Sequence, residues 1–190
     1  MSWLEWIAAA LGVVNIALLV RRSAWNYPFG MAMVALYVVV FKEARLYGEA
    51  GLQVFFFLMQ GYGWVLWYRV EDAAAQVPVR WLDWPSRLVW LMMTAALSLN
   101  LGWVMHRFTN ASLPYADAAI SGASIAAQLL LAFRRIENWV LWIVIDIASV
   151  AVYVVKGLWP TAALYVLFLA MSVLGLREWI VAARGHASQA

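Results

Sequence analysis

One ionisable side chain sits in the middle of an otherwise apolar run, and it is the tightest constraint in the sequence. Residues 138–155 (NWVLWIVIDIASVAVYVV) contain Asp146 with no basic residue beside it. A run of this length and character matches a membrane-spanning helix, which needs about 20 apolar residues. A carboxylate at membrane depth is costly in hydrocarbon, so it must face protein or a wet cavity, and by default it marks a functional position. Asn138, Trp142, Asp146, Ser149 and Tyr153 recur at intervals of three and four residues, which puts them on one helical face. The other positions are almost all Val, Ile, Leu and Ala.

Comparable runs cover roughly 3–20, 28–41, 46–68, 87–105, 115–132 and 158–177. Charged residues make up only 12% of the chain, against about 25% in soluble domains. So apolar a chain cannot cover itself with polar surface, and the expected fold is an all-α integral membrane protein with seven transmembrane helices. Several of the 13 tryptophans fall near segment ends, where interfacial rings belong. With no cysteine, disulfides, thiolate metal sites and a thiol nucleophile are excluded. There is no GxxxxGK loop, and His106 and His186 lie outside the runs without a metal pattern. An enzyme is therefore not expected, nor is a cofactor. The basic residues are spread over short loops, so no nucleic-acid partner is expected. No cleavable leader is expected either, because Arg21-Arg22 follow the first apolar run.

The same basic residues predict orientation. Lys42, Arg45, Arg107 and Lys156 fall on one side of the seven runs, and the other nine Lys and Arg residues fall on the opposite side. The positive-inside rule makes the side with nine cytoplasmic, so the amino terminus is outside and the carboxyl terminus inside.

The outer runs also resemble one another. Arg21-Arg22 match Arg134-Arg135 at an offset of 113, which sets Asn15 against Gln128. Tyr37-Val38-Val39 match Tyr153-Val154-Val155 at 116, and Gly63-xxx-Trp67 matches Gly175-xxx-Trp179 at 112. These matches predict a three-helix repeat at 1–70, a linker with a fourth helix at 71–113, and a second repeat at 114–190. Three spans plus an inserted one make the repeats parallel. A site between pseudosymmetric repeats is a transporter pattern.

The polar residues of the spans suit a small, flat, polar solute. Gln53, Gln60 and Trp67 are seven apart and share a face, and Asn15 and Gln128 take equivalent repeat positions. Amides offer both donors and acceptors, aromatic rings stack, and Asp146 accepts hydrogen bonds or offsets a cationic ring. No Lys or Arg lies in the middle of a span, which argues for an unphosphorylated solute. Other roles stay open: helix capping for Asn138, interhelical hydrogen bonding for Gln53 and Gln60, and a packing, hinge or gate position for Tyr37 and Tyr153. Pro28 and Gly30 need be no more than a helix start.

Three blocks of sequence stand out. The first is Tyr27-Pro28-x-Gly30 with Tyr37 and Phe41, and the second is Leu46-Tyr47 with Gln53 and Gly63-Trp64-x-x-Trp67. The third and most specific is Arg134-Arg135-x-Glu137-Asn138-Trp139-x-x-Trp142-x-x-x-Asp146, followed by Tyr153, Tyr165 and Trp179. With these blocks the chain resembles, over about 12–180, the PnuC family of bacterial nicotinamide riboside transporters. The resemblance implies two parallel three-helix repeats around a linker helix, a full-length counterpart of the SWEET arrangement, assembled as homotrimers in the inner membrane. It implies facilitated diffusion of an unphosphorylated vitamin precursor, nicotinamide riboside, with a cytoplasmic kinase trapping the product for NAD synthesis. It also implies a site of Gln53, Gln60, Trp64, Trp67, Asn138, Trp142, Asp146 and Tyr153. Trp139 is the neighbour whose role, lining or packing, stays open. Similar relatives carry thiamine, riboflavin or nucleosides, so a thiamine or nucleoside transporter is the alternative. The alternative of another class is a structural or sensory membrane protein whose polar stripes only join helices.

Overall fold

The computed structural model describes residues 3–43, 47–74, 77–109, 113–155, 157 and 159–187. Arg45, Leu46 and Lys156 lie outside the described residues, as do the side chains of Phe41, Tyr47, Glu49 and His186. Among the described residues the chain forms seven α-helices. They are α1 (Trp3–Val20), α2 (Asn26–Glu43), α3 (Tyr47–Ala74), α4 (Trp84–Phe108), α5 (Pro114–Ala132), α6 (Glu137–Val155) and α7 (Trp159–Ala187). Four of them, α4 to α7, hold stretches long and apolar enough to cross a bilayer unaided, and α1 and α2 hold shorter apolar runs. Leu91, Met92 and Met93 of α4 are more than half exposed, an arrangement suited to lipid rather than water.

Two helices run past the ends that hydropathy predicts. α7 was expected to stop near 177 before a polar tail, but it continues to Ala187. The added turns carry Trp179, Ile180, Ala182 and Ala183 onto the buried cluster around Trp67 and Trp139, so packing sustains the helix where the apolar run ends. α3 continues to Ala74 rather than 68, through a tract that includes the good helix formers Glu71, Ala73 and Ala74.

α1, α2 and α3 pack in sequence, as do α4, α5, α6 and α7, and the two groups meet through α3 with α5 and α1 with α7. α1 and α5 end in the same way. Arg22 and Arg134 both adopt left-handed backbone, at φ 58° and 59°. Around Arg22, the Arg22 N–H donates to the Leu19 carbonyl and the Ser23 N–H to the Leu18 carbonyl. Around Arg134, the Arg134 N–H donates to Leu131 and the Arg135 N–H to Leu130. This is the Schellman pattern, with arginine in the position usually taken by glycine.

Each turn is then held from the opposite group of helices. Trp179 Nε1 donates to the Leu19 carbonyl at 3.1 Å, and Trp67 Nε1 donates to the Leu131 and Ala132 carbonyls at 3.3 Å. Trp67 and Trp179 lie side by side, 5.8 Å between ring centroids. Tyr27 meets Trp67 edge-on at 5.4 Å, and Trp139 meets Trp179 edge-on at 5.6 Å. The two turns, their indole donors and the edge-on rings are all related by 112 residues. At that spacing Arg22, not Arg21, corresponds to Arg134, and Asn15 corresponds to Ala127. The offset of 113 that paired Asn15 with Gln128 is therefore one residue out of register with the backbone, because two adjacent arginines on each side allow either match.

An extended strap, residues 77–83, crosses both turns. The Val77 N–H donates to the Arg22 carbonyl at 3.4 Å, and the Arg80 N–H donates to the Arg134 carbonyl at 3.2 Å. The Ile136 N–H returns a bond to the Arg80 carbonyl at 3.2 Å. Glu137 accepts from the Leu82 N–H at 3.0 Å and from Arg87 Nε at 2.8 Å. Replacing Trp67 or Trp179 by Phe keeps one six-membered ring, removes one buried donor and leaves a small void. Each variant is expected to lose about 1–2 kcal/mol of stability, read as a lower melting temperature of the detergent-purified protein.

Candidate functional site

Above the aromatic cluster the helices enclose a cavity of about 230 Å³. Ligand pockets usually measure about 300–1,000 Å³, so this one fits a single small solute. α1 supplies Asn15, α2 Met33 and Tyr37, and α3 Gln53, Phe56 and Gln60. α5 contributes Ser124 and Gln128, α6 Trp139, Trp142 and Asp146, and α7 Tyr165, Phe168 and Ser172. Leu19 and Leu131, whose carbonyls take the indole bonds, also belong to the lining.

Six of the ten positions singled out from sequence come together here: Asn15, Gln53, Gln60, Gln128, Trp142 and Asp146. The other four do not line the cavity. Trp67 is fully buried in the aromatic cluster, its N–H spent on α5. Asn138 is fully buried too, and its Nδ2 donates to the Arg135 carbonyl at 2.6 Å, fastening the left-handed turn. Asn26 makes the same bond to Ser23 at 2.6 Å. Trp64 is 36% exposed on the outside of α3. Tyr153 stands one layer back, its ring 5.2 Å from that of Tyr165. Helical spacing places residues on a face but does not say how far up that face the cavity reaches. Trp139 does both jobs left open for it, lining the cavity and packing on Trp179.

The polar groups are arranged with some left unpaired. Asp146 is 3% exposed and accepts a hydrogen bond from Ser172 Oγ at 2.9 Å. Asn15 Nδ2 donates to the Asn26 carbonyl at 2.6 Å, which fixes the amide's orientation. Gln128 Nε2 and Trp139 Nε1 are buried donors without a partner among the described residues. Unpaired buried donors are costly, and a solute bearing acceptors would satisfy them. The lining contains no Lys or Arg. Among the described residues, no group of His, Cys, Asp and Glu is placed to hold a metal.

Two contributors escaped the sequence reading. Ser172 is an isolated hydroxyl in α7, yet Tyr165, Phe168 and Ser172 are spaced three and four apart, the same signal that singled out the α6 stripe. Gly30 is the other. A Cβ there would collide with Gln60 Oε1 and come within 2.7 Å of Asn15 Nδ2, so the missing side chain is what lets both amides converge. No pattern in a single sequence separates that role from a helix start.

Six of the seven helices, all but α4, line a cavity with amide, aromatic and carboxylate walls inside an apolar exterior, the build of a multi-span membrane transporter. The comparisons with known proteins agree. A family model described as "Nicotinamide mononucleotide transporter" matches residues 2–181. The nicotinamide riboside transporter PnuC of Escherichia coli (strain K12) is 30% identical over 215 residues, covering 100% of this chain and 90% of that protein. The riboflavin/roseoflavin transporter RibM of Streptomyces davaonensis is 28% identical, covering 96% and 86%. A solved structure, the crystal structure of the vitamin B3 transporter PnuC, superposes with a TM-score of 0.82 at 27% identity, covering 97% of this chain and 83% of that one. The chain belongs to the PnuC family of bacterial membrane transporters, and it is a transporter rather than an enzyme.

The geometry at Gly30 predicts its own test. Gly30→Ala is expected to push the Gln60 and Asn15 side-chain ends aside and to cost about 1 kcal/mol or less, since both ends can shift and alanine favours the helix. Gly51→Ala, whose added methyl meets nothing within 4 Å of a position inside α3, should keep or slightly raise the melting temperature in the same assay, because alanine is the better helix former.

Proposed function

We propose that this protein carries unphosphorylated nicotinamide riboside across the bacterial inner membrane by facilitated diffusion. The observation that carries the proposal is the cavity lining: rings, amides and one carboxylate, with no cationic side chain. Trp142 offers a stacking face for a flat base. Gln53, Gln60 and Gln128 offer donors and acceptors for a carboxamide and for ribose hydroxyls. Asp146 accepts hydrogen bonds from hydroxyls or offsets a pyridinium. The family description names a mononucleotide, but a phosphate would bring negative charge beside Asp146 with nothing to neutralise it. The riboside is the form that fits. Substrate release would be made irreversible by phosphorylation inside, and a cytoplasmic kinase is the partner this requires.

The transport model rests on two parallel three-helix repeats, 1–70 and 114–190, joined by a linker with α4 at 71–113 and similar to the SWEET arrangement. Its support is the common spacing of 112 that links Arg22 to Arg134, Trp67 to Trp179 and Tyr27 to Trp139. Gly63 seats the Tyr27 ring and Gly175 seats the Trp139 ring at the same spacing. Rocking one repeat against the other about the cavity would open it to alternate sides. The nine-to-four distribution of Lys and Arg supports an outside amino terminus and a cytoplasmic carboxyl terminus. A homotrimer follows from the family resemblance.

Purified protein in liposomes is expected to take up nicotinamide riboside and to ignore the mononucleotide. Preferred uptake of thiamine, riboflavin or a nucleoside, with no response to nicotinamide riboside, would overturn the substrate assignment. By calorimetry, Trp142→Ala and Asp146→Asn are each expected to weaken riboside binding about tenfold or more. The first removes a stacking face and the second a charged acceptor. Unchanged affinity in both folded variants would remove those two roles.

A further inference from the structure

A second cleft, of about 590 Å³, lies at the arginine-rich end of the molecule and is separate from the central cavity. Among the described residues α3 and α4 both pack on α5 but not on each other, so the cleft has a floor on α5 and an open side between two apolar helices. Tyr62 and Trp90 form part of its apolar wall, while Arg69, Arg80, Arg134 and Arg135 gather at its loop end. The cations are held there by the backbone. The Arg80 N–H is bonded to the Arg134 carbonyl and the Ile136 N–H to the Arg80 carbonyl, both at 3.2 Å. Burial, and after it the Arg80 charge, holds the Arg134 and Arg135 guanidiniums below their ordinary value. Asp83 and Glu137 offset part of this at Arg135, but Glu137 is already engaged by Arg87 and the Leu82 N–H.

We propose that this cleft binds an anionic phospholipid, with the phosphodiester on the arginines and an acyl chain lying against Tyr62 and Trp90. Guanidinium forks match phosphate oxygens, and basic pockets between transmembrane helices are a known setting for anionic headgroups. Soluble phosphate would use the arginines but leave the apolar wall without a partner. The lipid uses both. Binding would also relieve the mutual repulsion of the clustered arginines, so lipid and fold stabilise each other.

The test is thermal melting of the detergent-purified full-length chain, titrated with phosphatidylglycerol, phosphatidylcholine or inorganic phosphate. Phosphatidylglycerol is expected to raise the melting temperature and phosphatidylcholine to leave it in place. R80Q/R135Q is expected to bind phosphatidylglycerol about twenty-five-fold more weakly, at about fivefold per arginine, while R21Q outside the cleft binds as the parent does. If the double variant does not fold, R69Q alone should show a loss of about fivefold. Equal stabilisation by the two lipids, or a folded double variant with parental affinity, would overturn the proposal. So would stabilisation by inorganic phosphate with none from phosphatidylglycerol, which would assign the arginines to a soluble anion.

Discussion

Two indole N–H groups, each given to a carbonyl at the end of a helix across the molecule, pin the two groups of helices to one another. Each of these carbonyls already accepts from the turn that follows its helix, and the indole takes up its second lone pair. Here Trp179 reaches Leu19 and Trp67 reaches Leu131. The bonds run along the α1–α7 and α3–α5 contacts, through which the first three helices meet the last three. Leu19 and Leu131 also line the central cavity. Satisfying the backbone and shaping the base of the site thus fall to the same residues.

Cavity-lining positions 112 residues apart carry unlike chemistry. At the spacing of 112 residues, Gln60 stands against Ser172, Gln53 against Tyr165, and Val34 against Asp146. Gly30, which makes room for two amides, corresponds to Trp142, which fills room with a ring. A solute with a flat base at one end and hydroxyls at the other meets a different surface on each side. That fits a riboside better than it fits a symmetrical molecule, and it ties orientation in the site to which half the base faces.

Much of this was legible in the sequence for plain reasons. Apolar runs bounded by charge and proline locate helices, and the seven observed helices fall on the seven runs. Asp146, Trp142, Gln53, Gln60, Gln128 and Asn15 were visible because polar side chains in apolar helices are few and periodic. The depth of each residue was not visible. Trp67, Asn138, Trp64 and Tyr153 share faces or motifs with cavity residues, but they lie a turn beyond the cavity, a layer behind it or on the outside. Nor could periodicity find Gly30, whose contribution is the absence of atoms, or the continuation of α7, which depends on packing partners far away in the chain.

The strap over the two turns sets a limit on movement at its end of the molecule. Val77 is fastened to the turn after α1 and Arg80 to the turn after α5. The chain between those attachment points is three residues long and reaches about 10 Å when fully drawn out. While both fastenings last, the strap acts as a leash of fixed length, and the two turns cannot part further than it allows. A wider exit on that face would first have to break one of the two backbone bonds, which makes their rupture a countable event in any cycle that uses it.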